Sequence, residues 1–233
     1  MKIIAATMGA LASILFSLSA AHSEPFVYGF RADLLEYRIG EDADVAAWET
    51  FLSAGTDDLK GVWRSDGEYD TTESAFEELE NQFRLQTPIT EFFDAVAGVR
   101  FDTPKGPNRT YGVIGVHGLA PQWFEVDLDF FISGDPIFRL EAEYEGLITN
   151  RIILSPRLEV DLPLTNDEEI GAGAWGPKME VGLRLSYDLI DRAFAPYIGV
   201  HYERVFGRSA NFAEAEGEDK DGVFFVVGAR LLF

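Results

Sequence analysis

Apolar and polar residues alternate with a period of two along most of the chain after Phe26, in segments of about ten residues separated by Gly, Pro, Asn and Asp. From Phe138 onward, Phe138, Leu140, Ala142 and Tyr144 hold one parity, and Arg139, Glu141, Glu143 and Glu145 hold the other. The next segment sets Ile152, Leu154, Leu158 and Val160 against Arg157, Glu159 and Asp161. A third opposes Met179, Val181, Leu183, Leu185, Tyr187 and Leu189 to Glu180, Arg184 and Asp188, and the last runs Val223, Phe225, Val227, Ala229, Leu231 to Phe233. Side chains of a strand point alternately to its two faces, so each segment is a strand with one apolar and one charged face.

Twelve such segments are predicted, near 27–38, 46–54, 59–67, 75–87, 91–101, 109–119, 123–132, 138–147, 151–162, 178–189, 195–206 and 222–233. Irregular pairing between 27 and 67 would reduce the count to ten. Residues 73–85 (ESAFEELENQFRL) also scan as a short amphipathic helix, but Leu79, Phe83 and Leu85 share a parity opposed by Glu78, Glu80, Gln82 and Arg84, which favours a strand.

Two architectures use such strands. A soluble sandwich buries the apolar face, whereas a transmembrane barrel turns it to lipid and the charged face to its lumen. Many segments reach the roughly 9–11 residues that cross a bilayer, while ordinary strands centre on about five or six. The connections 163–177 and 207–221 are long and acidic, and 190–194, 148–150 and the Leu119-Ala120-Pro121-Gln122 turn are short. With the C-terminus in the periplasm, the long connections fall outside the cell, as in membrane barrels. Tyr37, Trp63, Phe92, Phe93, Tyr111, Trp123, Phe124, Tyr187, Phe194, Tyr197 and Phe206 lie near strand ends, where an interfacial girdle would place them. The expected fold is therefore all-β, an antiparallel transmembrane β-barrel of about twelve strands, closed by an alternating strand whose terminal Phe233 would serve as a signal to the barrel assembly machinery.

Lys2 precedes an uncharged run from Ile3 to Ala21 that ends in Ser19-Ala20-Ala21. This reads as a signal peptide over 1–23 with the barrel domain over 24–233; the alternative is an uncleaved anchor. Export without helical spans leaves periplasm, medium or outer membrane, and the barrel expected above selects the bacterial outer membrane.

Composition narrows the chemistry. With 40 acidic and 19 basic residues the formal charge is -21, which leaves no basic face for nucleic acid. No cysteine is present, so disulfides, cysteine-zinc sites and thiol catalysis are excluded. Three histidines occur: His22 at the cleavage point, His117 near a strand end, and His201, whose parity with Tyr197, Gly199 and Glu203 puts it in the lumen. His201 is a weak candidate metal ligand, because isolated histidines form no ligand-spacing motif. The cation-attracting lumen face would comprise Glu141, Glu143, Glu145, Glu159, Asp161, Glu180 and Glu203, with Arg100, Arg139, Arg157 and Arg184 among them. Acids and arginines are mixed, which favours an interior filled by ion pairs over an open cation channel. No Ser-His arrangement supports a lipid hydrolase, so no enzyme activity is expected.

Several runs resemble the copper resistance protein B family: Leu35-Glu36-Tyr37, Trp63 with Ser65-Asp66-Gly67-Glu68, Gly98-Val99-Arg100-Phe101-Asp102, and GLAPQWFEVD at 118–127. So do LEAEYE at 140–145, RIILSPRLEV at 151–160, GLRLSYD at 182–188, FAPYIGVHYERVFG at 194–207 and Gly228-Ala229-Arg230. The resemblance spans about Phe30 to Phe233. It implies an outer-membrane barrel contributing to copper resistance, with copper ion as its metal and a periplasmic copper-handling protein as a partner. The family pattern includes a Met- and His-rich segment before the barrel; Met179 is the only methionine after residue 24 here, so no metal ligand carries over. A small-solute pore or structural barrel that has lost the copper role is the alternative.

Overall fold

The computed structural model describes residues 25–41, 43–104, 106–190 and 192–233. The leader expected over 1–23, with His22, lies outside the described residues, so the domain boundary is not addressed by the fold.

The described residues form one closed, antiparallel barrel in which every strand pairs with its sequence neighbours. Its strands are β1 (Val27–Ile39), β2 (Asp44–Gly55), β3 (Lys60–Asp70), β4 (Ala75–Pro88), β5 (Phe93–Thr103), β6 (Arg109–Ala120) and β7 (Phe124–Ile132). They continue as β8 (Ile137–Tyr144), the two-residue β9 (Gly146–Leu147), β10 (Ile152–Pro163), β11 (Lys178–Tyr187), β12 (Phe194–Val205) and β13 (Asp221–Leu232). β9 prolongs β8 along the same neighbour, β10, so the wall has twelve staves. β1 pairs with β13 to close it, and Phe30 and Phe233 exchange N–H···O bonds of 2.9 and 2.8 Å at the seam. Closure removes the sheet edges, which could not be solvated within a bilayer.

The alternation appears as an inverted distribution of polarity. Leu183, Val200, Phe225 and Val227 stand exposed on the outer wall, while Arg64, Glu80, Gln82 and Asp129 are almost fully buried inside. A soluble sandwich would show the opposite arrangement, so the lipid-facing reading is the one that fits. Residues 75–88 are strand, and β1 to β3 pair along their lengths with bulges in β1 near Ala32, which fixes the count at twelve. Two expected girdle residues behave differently: Tyr111 and Tyr197 point inward and are buried. Tyr111 packs on Phe131 and lies under Arg100, and the Tyr197 hydroxyl donates to Glu36 at 3.0 Å; strand parity, which Tyr197 shares with His201, turns them inward.

The rim that carries Val27 and Phe233 has compact turns. Thr90 Oγ1 accepts from the Phe92 and Phe93 amides at 3.2 and 3.0 Å, and Thr149 Oγ1 does the same for Arg151 and Ile152 at 3.2 and 2.9 Å. Such hydroxyl-to-amide bonds satisfy donors that a tight turn leaves unpaired. The opposite rim carries the two long connections. One holds helix α1 (Gly207–Glu216), absent from the strand pattern, and its Ser209 hydroxyl donates to Gly176 O at 2.6 Å and accepts from the Gly173 amide at 2.9 Å. The two long connections are thereby packed on each other.

Candidate functional site

Alternating parity brings the polar residues of twelve staves into one bore, and glycine makes room for the larger ones. A Cβ on Gly115 would meet Asp129 Oδ1 at 2.0 Å, and one on Gly182 would meet Arg184 Nη1 at 2.0 Å. The bore is filled by ion pairs that cross it. At the waist, Arg64 of β3 reaches Glu49 at 3.0 Å and Asp66 at 2.8 Å, and crosses to Glu141 of β8 at 2.8 Å. Arg157 of β10 binds Glu49 on β2 and lies 3.3 Å from Glu141. Arg139 holds Asp161 at 2.6 Å, Glu159 at 3.3 Å and Glu80 of β4 at 3.2 Å, and Arg100 meets Glu80 at 2.7 Å.

Glu36 of β1 forms a second centre. It accepts from Arg184 of β11 at 2.7 Å and Arg38 at 2.8 Å, and Arg38 continues to Glu68. Toward the Val27 and Phe233 rim, Arg230 binds Glu143 and Glu145, and Arg31 spans the bore to Glu125 of β7 at 3.3 Å. Replacing one partner of a buried pair such as Arg184 and Glu36 leaves a charge without compensation, at a cost of about 3–5 kcal/mol.

Six of the seven acids expected in the lumen hold strand positions, and Glu145 lies between β8 and β9, but the seven do not form one cluster. Glu141, Glu143, Glu145, Glu159 and Asp161 are each neutralised by arginine, while Glu180 pairs with Lys178 at 2.8 Å. Among the described residues Glu203 is in no ion pair, and it shares the Lys178 environment with Glu68 and Glu78. The mixture of signs in the sequence was thus the informative feature. His201 is buried, 3.5 Å from Glu180 through Nε2, with neither ring nitrogen hydrogen-bonded. His117, expected only at a strand end, faces the bore and hydrogen-bonds Asp127 at 2.9 Å. Asp188 caps the adjoining turn, accepting from the Arg192 amide at 2.8 Å. The expected set of lumen acids left out Glu36 and Glu49, and also Glu80, although Glu80 was read on the polar parity of its strand; the arginines that cross the bore to them, Arg184, Arg157 and Arg139, come from strands distant in sequence. Among the described residues, no group of three or more His, Cys, Asp or Glu is arranged to hold a metal ion.

A family model described as copper resistance protein B precursor (CopB) matches residues 26–233. The chain belongs to this family. Copper resistance protein B of Escherichia coli is 36% identical over 92% of this chain and 72% of its own length. The copper resistance protein B homolog of Pseudomonas syringae pv. tomato is 36% identical over 88% of this chain and 69% of its own. The barrel is also similar to solved porins: NanC, with a TM-score of 0.56 and 12% identity over 88% of this chain and 99% of that one, and KdgM, with 0.50 and 11% over 89% and 99%. At that identity the likeness is one of fold. Family and fold together make this CopB relative an outer-membrane copper-resistance barrel.

Proposed function

We propose that this CopB barrel contributes to copper tolerance without catalysis, by gathering copper ions at the acidic end of its lumen, on the side of the long connections. One observation carries the reading. The Lys178 ammonium pairs with Glu180 at 2.8 Å and stands among Glu68, Glu78 and Glu203, and among the described residues only Glu68 of these four has another cationic partner, Arg38. Four carboxylates against two cationic heads leave a negative mouth within a low-dielectric wall, which concentrates counter-ions. Family membership supplies copper as the relevant ion.

The acids at the waist do not suit a test, because Glu141 and Glu159 are counter-charges for buried arginines. Glu78 and Glu203 carry no such duty. In a copper-sensitive host, the Glu78→Gln/Glu203→Gln variant is expected to lower tolerance toward that of cells without the protein, at an unchanged amount of folded, heat-modifiable barrel. Wild-type tolerance at equal barrel amount would sink the reading.

A further inference from the structure

At mid-height the outer wall is apolar around most of the barrel. Outward positions there hold Val99, Ile114, Leu128, Leu183, Val200 and Val227, all exposed on the lipid side. On β2, β3 and β4 the corresponding positions hold Thr50, Ser65 and Asn81 instead. These three are neighbours in one row across the strands, since Thr50 pairs with Ser65 and Ser65 with Asn81. Their parity is outward, because Glu49, Arg64, Glu80 and Gln82 beside them point into the bore and are buried there.

Two tryptophans fold onto the row. Trp48 Nε1 reaches Ser65 Oγ at 3.5 Å, and Trp63 Nε1 donates to Asn81 Oδ1 at 3.2 Å. Gly67, paired with Trp48, lets that indole lie on the wall, for a Cβ there would stand 2.3 Å from Trp48 Cζ2. Ser65 is only 6% exposed although it faces outward. Hydrogen-bonding capacity is left over all the same. Thr50 Oγ1 donates to Ser65 O at 3.3 Å and keeps its lone pairs, and among the described residues neither the Ser65 hydroxyl proton nor the Asn81 Nδ2 group has an acceptor. Hydrocarbon supplies neither donors nor acceptors, so these groups are costly against lipid and are better met by another protein wall.

Symmetry selects the partner. Copies that share one orientation in the membrane can be related by a two-fold axis only along the membrane normal. Rotation about that axis sets β3 against β3 and reverses the order of the strands, so the β4 side of one copy faces the β2 side of the other. The surplus donors of Asn81 then come to the side that carries the free lone pairs of Thr50, and the two Ser65 residues lie near the axis. A patch with donors at one edge and an acceptor at the other is its own complement. We propose that the outer wall of β2 to β4 is a contact between two copies of this chain, side by side in the membrane, with Thr50, Ser65 and Asn81 at its centre. The inference does not depend on copper.

The chain has no cysteine, so introduced thiols are unique reporters. The full chain, dye-labelled at Glu216→Cys on the exposed part of α1 and reconstituted in lipid bilayers, is expected to bleach in two steps per spot. Adding Thr50→Leu/Asn81→Leu, which makes the row apolar, should weaken association at least about tenfold and leave mostly single steps. Single steps with the row intact overturn the proposal, as do three or more, and so does a folded row variant that still bleaches in two. A second measurement leaves the row untouched, in case that variant does not fold. Leu52 on β2 and Phe83 on β4 are outward and exposed beside the row. Chains with Leu52→Cys and chains with Phe83→Cys, mixed in one membrane, are expected to join through a short bismaleimide at least about fivefold more than Leu52→Cys with Leu158→Cys, which lies on β10 across the barrel. Equal yields overturn the contact.

Discussion

Arg84 and Asp129 show what a single pair does in this lumen. Arg84 Nη2 lies 2.8 and 2.9 Å from the two oxygens of Asp129, and both side chains are shut off from solvent. Arg84→Leu would strand the carboxylate and is expected to destabilise the barrel by about 3–5 kcal/mol, whereas Arg84→Leu/Asp129→Leu should recover most of the loss, since paired removal leaves no orphan charge. Urea unfolding followed by tryptophan fluorescence measures both, and equal stability of single and double variants would contradict the pairing. At this scale the sequence told inside from outside, because parity is local. It did not tell who pairs with whom: Arg84 and Asp129 are 45 residues apart and meet only once the wall has closed. Tyr111 and Tyr197 fail as girdle residues because strand parity turns them inward, where Arg100 and Glu36 meet them.

Each of the twelve expected segments is a strand, with bounds that differ from the observed ones by a few residues, as with 59–67 against Lys60–Asp70. Alternation could not reveal α1, which lies where alternation stops. A local signal was present even so: Gly217 follows the last turn in the left-handed conformation, with φ 81°, and its amide bonds back to the helix. Helix α1 is anchored by Ser209, which is buried against Gly173 and Gly176. Ser209→Ala removes the hydroxyl and leaves a buried carbonyl and amide with fewer partners, a loss of about 1–3 kcal/mol confined to the two long connections. Limited proteolysis is expected to cut 164–177 and 206–220 faster in this variant while the barrel core keeps its resistance. Unchanged cleavage would mean that the contact does not hold the connections together.

For the whole molecule, the decisive property is where charge sits. The formal charge is -21, yet the waist of the bore holds only a small part of it, because Arg64, Arg100, Arg139 and Arg157 offset most of the charge of Glu49, Asp66, Glu80, Glu141, Glu159 and Asp161, so most of the excess lies elsewhere in the chain. Net charge was legible from composition, and its partition was not, because it follows from long-range pairing. The partition governs how copper should associate. Met179 is the only methionine past residue 24 and cysteine is absent, so the soft donors that select Cu(I) are lacking in the barrel, and no described group of three ligands is arranged for coordination. Attraction should therefore be diffuse and electrostatic. Cu(II) association with the reconstituted barrel is expected at about 0.01 M potassium nitrate, where the Debye length is ~30 Å, and to fade toward about 1 M, where it is ~3 Å. Magnesium should compete, since a field distinguishes charge and not ligand chemistry. Titration calorimetry across that salt range decides the matter: binding of one copper per chain that persists at high salt and resists magnesium would mean that the lumen coordinates the ion, and the mouth would then act as a site instead of a field.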